Sequence, residues 1–232
     1  MADEARTLNA AVSRDGNPYG HQIIVTGIGP ANAAAGAERM LAGRVDALVS
    51  WGTAGALVAN LPPGKLLVYT DVVDASGTHR QCDPTWQRDI IHALRTTDVR
   101  TGSGYTSDHA ITDPTEKAAI HTASRCVAVD MESAAIGAAA AAAGVRFVAV
   151  RAIVDPVGFA IPRIALDAVA SNGTTRPWSV VTSLAHSPGD LPALLRLARW
   201  HRAALATLHQ AAMLLRPAFA TTGSRNERAK IA

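Results

Sequence analysis

Val127-Ala-Val-Asp-Met-Glu-Ser133, followed by Val150-Arg-Ala-Ile-Val-Asp155, places two carboxylates, Glu132 and Asp155, at the ends of two apolar runs. An alanine-rich segment of helical character lies between them. A carboxylate just after a buried strand is costly unless it is paired, hydrogen-bonded or used in chemistry. Two such strand ends side by side make a cleft at the carboxyl edge of a sheet, where open α/β folds bind small molecules.

Working outward, apolar and helical segments alternate along the chain. Residues 22–26, 47–50, 65–69, 72–73, 126–129 and 146–154 read as strands, and residues 4–12, 31–42, 86–94, 115–122, 132–143 and 188–215 as helices. That alternation predicts an α/β fold, a three-layer α/β/α sandwich with a central mixed sheet. Residues 1–220 form one domain and residues 221–232 a disordered polar tail, with no internal repeat. A doubly wound domain rarely begins on a helix, so either a strand precedes Met1 or residues 22–26 are the first strand.

Composition narrows the function classes. Of 232 residues, 48% are apolar and only 4% aromatic, so the core rests on Ala, Val, Leu and Ile. The net charge of +3 is mild, and the 22 basic residues are scattered rather than gathered among aromatics, which argues against nucleic acid. Cys82 and Cys126 lack metal-ligand spacing and fit a reduced, cytoplasmic protein. The acidic, polar start Met1-Ala-Asp-Glu-Ala-Arg6 is not a signal peptide, and residues 134–143 are too few to span a bilayer.

The smaller motifs exclude more than they assign. Gly27-Ile-Gly29-Pro-Ala-Asn32 fails the dinucleotide fingerprint at Asn32 and Pro30, which disfavours a nicotinamide oxidoreductase. It is a strand-to-helix turn whose free amides could hold an anion. Gly52-Thr-Ala-Gly55 reads as a second small-residue turn, either a plain tight turn or one whose amides and Thr53 hydroxyl approach a ligand. It is not a nucleophile elbow, and Gly64-Lys65 is not a P-loop. Glu132 can serve its helix N-terminus or take both hydroxyls of a ribose, and Asp155 can be a turn residue or an acid. Arg151, inside an apolar run, must be paired with a carboxylate or face solvent at an edge. The eight histidines show no metal spacing.

Five segments in order, Val25-Thr-Gly-Ile-Gly29, Gly52-Thr-Ala-Gly-Ala56, Pro63-Gly-Lys65, Val129-Asp-Met-Glu-Ser133 and Val150-Arg-Ala-Ile-Val-Asp155, resemble the nucleoside phosphorylase and nucleosidase family. That family includes purine nucleoside phosphorylases and methylthioadenosine/S-adenosylhomocysteine nucleosidases. Ser107-Asp108, Glu116-Lys117 and the long C-terminal segment are most similar to its hopanoid-associated phosphorylases. The resemblance implies that Asp155 is the acid on purine N7 and that Glu132 binds the ribose hydroxyls over Met131. By the same resemblance Glu4 activates water in the nucleosidase branch, and Thr53 with Gly52 lies near the ribose or anion. Residues 107–111, among them Ser107, Asp108 and Ile111, line the base, while Gly27, Gly29 and Arg6 are the candidates for a phosphate.

The chain departs from that pattern in three places. The strand that the family places ahead of the Glu4 position is not found in this sequence, the phosphate-binding Gly-Asp-Pro is not visible, and Val154 stands where the family has serine. The nucleophile, water or inorganic phosphate, therefore stays open. The expected function is release of adenine from a 5′-substituted adenosine, by phosphorolysis of adenosylhopane in the first reading. Hydrolysis of methylthioadenosine or S-adenosylhomocysteine and a catalytically silent nucleoside-binding protein are the alternatives. No metal or organic cofactor is implied, and inorganic phosphate is at most a co-substrate. The family is usually oligomeric, so at least a homodimer is expected. The basic, apolar helix over residues 191–215 is either packed on the sheet or lies at the inner-membrane surface, making the protein cytoplasmic or peripheral.

Overall fold

The computed structural model describes residues 2–12, 22–43, 45–162, 165 and 188–227. Helix α1 (Ala2–Val12) and helix α2 (Pro30–Leu41) precede strand β1 (Ala47–Ala56). Strands β2 (Leu66–Asp74) and β3 (His79–Gln81) lead into α3 (Pro84–Ala93), β4 (Val99–Thr106) and α4 (Pro114–Ser124). Then come β5 (Ala128–Asp130), α5 (Ser133–Ala143), β6 (Arg146–Asp155), a 3-10 turn (Pro188–Asp190) and α6 (Leu191–Glu227).

The six strands form one mixed sheet in the order β3-β2-β4-β5-β1-β6, and β2 also pairs with β6. Five strands thus close into a ring, with β3 at its rim. The mixed α/β architecture is the one expected, with α2 and α5 packed together and α1 and α3 against α6. Strands β2 and β6 are buried along almost their whole length, as strands covered on both faces are, although Thr70-Asp71 and Arg151 interrupt their apolar runs. Leu66, Leu67, Val68, Tyr69, Val148, Val150 and Ile153 give the main core its bulk.

Local chemistry fixes the helix ends. Asp83 accepts from the Trp86 amide at 2.7 Å and Asp113 from the Thr115 amide at 2.8 Å, each with proline next in the chain. That is the acidic cap and N-terminal proline of a well-specified helix start. Helix α5 stops at Gly144, whose φ of 68° suits glycine.

Four expectations are corrected. Residues 22–26 are unpaired coil, and Val25 is 44% exposed. Both edges of β1 are taken, by β5 and β6, so no ladder is open to the segment there. Gly52-Thr-Ala-Gly55 is not a turn: β1 continues through it, because its parallel ladder with β6 extends as far as Gly55 and Asp155. The ends carrying Glu132 and Asp155 are not on neighbouring strands, since β1 lies between β5 and β6. Residues 221–227, read as tail, continue α6 to Glu227, as a nucleated helix gains one hydrogen bond per added residue; residues 228–232 lie outside the described residues. Strand β4 carries no apolar run, and its glycines explain why: a Cβ on Gly104 would stand 2.0 Å from the Tyr69 ring. No described helix is long and apolar enough to cross a membrane.

Candidate active site

At the end of β5 the buried Asp130 organises its surroundings. Its Oδ1 accepts from the amides of Glu132 and Ser133, both at 2.9 Å, and from Thr106 Oγ1 at 3.1 Å. Its Oδ2 accepts from Ser133 Oγ at 2.6 Å and Arg151 Nε at 3.2 Å. Thr106 Oγ1 in turn accepts from the Ala134 amide at 2.9 Å. The amides of Glu132, Ser133 and Ala134 at the start of α5 are thus taken by Asp130 and Thr106. Glu132, formally the N-cap, makes no side-chain cap bond and is released for other work.

The Glu132 carboxylate turns to the glycine turn instead, accepting from the Gly29 amide at 3.2 Å. Both Gly27 and Gly29 have φ near 90°, a conformation that leaves the turn to glycine and aims the Gly29 amide outward. Arg151 lies 3.8 Å from Glu132 and is 2% exposed. Its Nη2 also donates to Ser50 Oγ at 2.7 Å and Ser133 Oγ at 2.9 Å. Burial works against the Arg151 charge, but Asp130 and Glu132 outweigh it and raise its pKa. Arg151 is therefore paired, the first of its two expected fates. Burial raises the Glu132 pKa, and Arg151 opposes that shift.

Glu4 of α1 reaches the same cluster. Its Oε1 accepts from the Thr53 amide at 2.8 Å and the Thr53 hydroxyl at 2.7 Å, and the residue is 7% exposed. Burial alone would raise its pKa, but the positive amino terminus, Thr53 and Arg151 hold it below the ordinary glutamate value. Glycine at 52 makes the approach feasible. A Cβ there would stand 2.4 Å from Arg151 Nη1 and 3.2 Å from Glu4 Oε1. Gly52→Ala is accordingly expected to cost about 1–3 kcal/mol by overpacking and to disturb both charged groups; thermal unfolding and ligand titration would check it.

Asp155 closes β6, 6% exposed, with its carboxyl oxygens over Gly55 of β1. Its partner is the wholly buried Lys117 of α4, which donates to Oδ2. Burial raises the Asp155 pKa against the opposing charge of Lys117.

Of the residues expected from sequence, Glu4, Gly52, Thr53, Gly29 and Glu132 fall in one connected cluster, with Met131 half-buried beside it. Asp155 is joined to it along β1. Ser107 borders it, its amide donating to the Asp130 carbonyl at 2.8 Å. Ile111 is packed into a second apolar cluster with Leu57, Val73, Cys126 and Val129. Asp108 is turned away, bound to His109 at the surface, and Arg6 is exposed in an i,i+3 pair with Asp3. Among the described residues no group of three His, Cys, Asp or Glu could hold a metal ion.

A sequence profile of the phosphorylase superfamily matches residues 19–176. No curated protein matches. Among solved structures the chain is similar to the Campylobacter jejuni 5′-methylthioadenosine/S-adenosyl homocysteine nucleosidase, at 16% identity and a TM-score of 0.69, covering 95% of this chain and 96% of that one. The Neisseria meningitidis enzyme of the same name, solved with methylthio-immucillin-A, gives 18% and 0.69 over 94% and 96%. A Helicobacter pylori futalosine hydrolase mutant gives 22% and 0.51, over 54% of this chain and 66% of that one. At these identities the likeness establishes the fold.

Proposed function

The chain belongs to the phosphorylase superfamily, and on that premise we propose that it hydrolyses the N-glycosidic bond of a 5′-substituted adenosine, releasing adenine. The observation that carries the reading is the position of Glu4. Its carboxylate takes both the amide and the hydroxyl of Thr53, the two donors a phosphate would need at that place. Glu132 lies in the same cluster, and a phosphate dianion among these carboxylates would be repelled. Arg151, the cation beside Glu132, is already held by Asp130, Ser50 and Ser133.

In this reading Glu132 and the adjoining Gly29 amide hold the ribose hydroxyls over Met131. Asp155 gives its proton to the purine N7 while the C1′–N9 electron pair goes to the base. Water adds at C1′ and loses its proton to Glu4. An acid on the leaving base and a negative group near the sugar lower the barrier of a ribosyl cation-like transition state together. The partner is then a small nucleoside and the location cytoplasmic, with at least a homodimer as the working assembly.

One observation favours the lipid substrate as a second reading. At the start of α6, Leu191 and Leu195 are 45% and 61% exposed, and Arg196 stands over Phe159, four residues beyond Asp155. Adenosylhopane cleaved in the same cleft, by water or by phosphate, would use such a surface.

Adenine release from methylthioadenosine and from a 5′-alkyl adenosine, each with and without phosphate, separates these readings. Phosphate-independent release is expected, reduced about a hundredfold in Glu4→Gln. A strict requirement for phosphate would overturn hydrolysis in favour of phosphorolysis, and a strong preference for the alkyl substrate would select the lipid. Calorimetric binding without turnover would point to a silent nucleoside-binding protein.

A further inference from the structure

Lys117 is 0% exposed, yet it carries an ammonium group. A buried charge of this kind is sustained only by full pairing. Asp113 caps α4, and the Lys117 amide closes its first turn on the Asp113 carbonyl at 3.1 Å, which sends the side chain toward β6. There Nζ donates to Asp155 Oδ2, to the Pro156 carbonyl at 3.2 Å and to the Phe159 carbonyl at 3.3 Å. An ammonium has three donors, and all three are used.

The next residue back from Asp155 is Val154, so no hydroxyl adjoins the carboxyl in the chain. Other charges nearby are committed elsewhere: Glu116 of α4 binds His109 at 2.9 Å, and Arg151 of β6 is held by Asp130. Lys117 is therefore the charged side chain that faces Asp155 among the described residues.

Resting on the glycosidic reading above, we propose that Lys117 is the positioning residue of the Asp155 acid. It fixes Oδ2 and stabilises the carboxylate that remains once the proton has passed to the leaving base. The balance is simple. Before the step the pair is a carboxylic acid and an ammonium; afterwards it is a carboxylate and an ammonium, with the proton on the purine. The Lys117 charge makes Asp155 a stronger acid than burial alone would allow. The same side chain ties down residues 156–159, whose Phe159 ring meets Trp200 of α6 edge-on at 4.8 Å.

The test is the pH profile of adenine release from methylthioadenosine by the full chain and its Lys117→Met, Lys117→Gln and Lys117→Arg variants. The neutral variants are expected to lose about a hundredfold in kcat with KM little changed. Their alkaline limb should move to higher pH, since a carboxyl without its cation keeps the proton longer. Lys117→Arg should keep the limb in place but lose at least tenfold in kcat, because a wider, planar head displaces the carboxyl. An unmoved limb in the neutral variants, or loss confined to KM, would overturn the inference and leave Lys117 a structural pairing. Should both neutral variants fail to fold, wild-type kcat in Lys117→Arg would overturn it equally. A carbon-13 titration of the Asp155 carboxyl, assigned against Asp155→Asn, gives the same comparison without turnover. If the wild type releases adenine from neither methylthioadenosine nor a 5′-alkyl adenosine, the glycosidic reading falls, and that titration still decides whether Lys117 governs Asp155.

Discussion

Asp155→Asn is expected to lower adenine release about a thousandfold or more while leaving binding of a substrate analogue measurable. Asn keeps an oxygen that can accept from Lys117, so the fold and the 156–159 segment should survive the change. What it cannot do is give up a proton as the glycosidic bond breaks. In the wild type, burial raises the Asp155 pKa against the pull of Lys117, so the acid form persists further toward neutral pH than for an ordinary aspartate. Activity that needs this proton is present below the folded pKa and is lost as pH rises through it. Glu4 works in the opposite sense. Its pKa is held down, so the base is ionised above that lowered value and fails only as pH falls through it. The pH–rate profile of the wild type should therefore be bell-shaped, and Asp155→Asn should lose its alkaline limb along with its rate. Near-normal turnover in the mutant would remove Asp155 from the mechanism.

The two carboxylates that open the sequence argument, Glu132 and Asp155, were legible because each ends an apolar run. The path between them was not. Placing β1 between β5 and β6 needs long-range pairing, which local periodicity does not encode. The small residues 52–55 look like a turn by composition, yet they are strand because Glu4, Arg151 and Asp155 need the space a side chain would fill. Asp130 lies inside the same 127–133 segment; its signal is a carboxylate at the very end of a three-residue buried strand, three positions before a helix. Lys117 had a weaker signal, a lysine three residues before Ile120 on the inner face of α4, and it is the one charged residue of that helix that is buried. Strand β4 was illegible for a different reason. Its glycines are set by Tyr69 and Val127 across the sheet, so its sequence carries the needs of its neighbours.

Removing Asp130 should cost more stability than any other single change at the site. Asp130→Ala deletes five hydrogen-bond acceptor contacts at once and leaves Arg151 buried, with Glu132 at 3.8 Å as its remaining carboxylate. Breaking one partner of a buried ion pair costs about 3–5 kcal/mol, because the other charge stays desolvated. Against a typical domain stability of about 5–15 kcal/mol, that is a large fraction, and denaturant unfolding should show it as a lowered midpoint. The loss has a definite pH signature. Burial would raise the Asp130 pKa, but Arg151 and the Ser133 and Glu132 donors outweigh it and lower it. The pairing therefore stabilises the fold fully above the ordinary aspartate value of 3.8 and is lost as pH falls through the depressed folded value. Wild type and Asp130→Ala should converge in stability as the solution is acidified. The double variant Asp130→Ala/Arg151→Met discriminates between a lost cap and a stranded charge. If the stranded charge dominates, the second change restores much of the stability, since no unpaired guanidinium remains. If the double variant is as unstable as the sum of the two single changes, the cost lies in the amides of α5 and Asp130 is first a helix cap. The first outcome has a consequence for the site. Glu132 is free to turn toward Gly29 because Asp130 has taken both the helix amides and most of the Arg151 charge, so the candidate ribose-binding carboxylate depends on a residue it does not touch through its side chain.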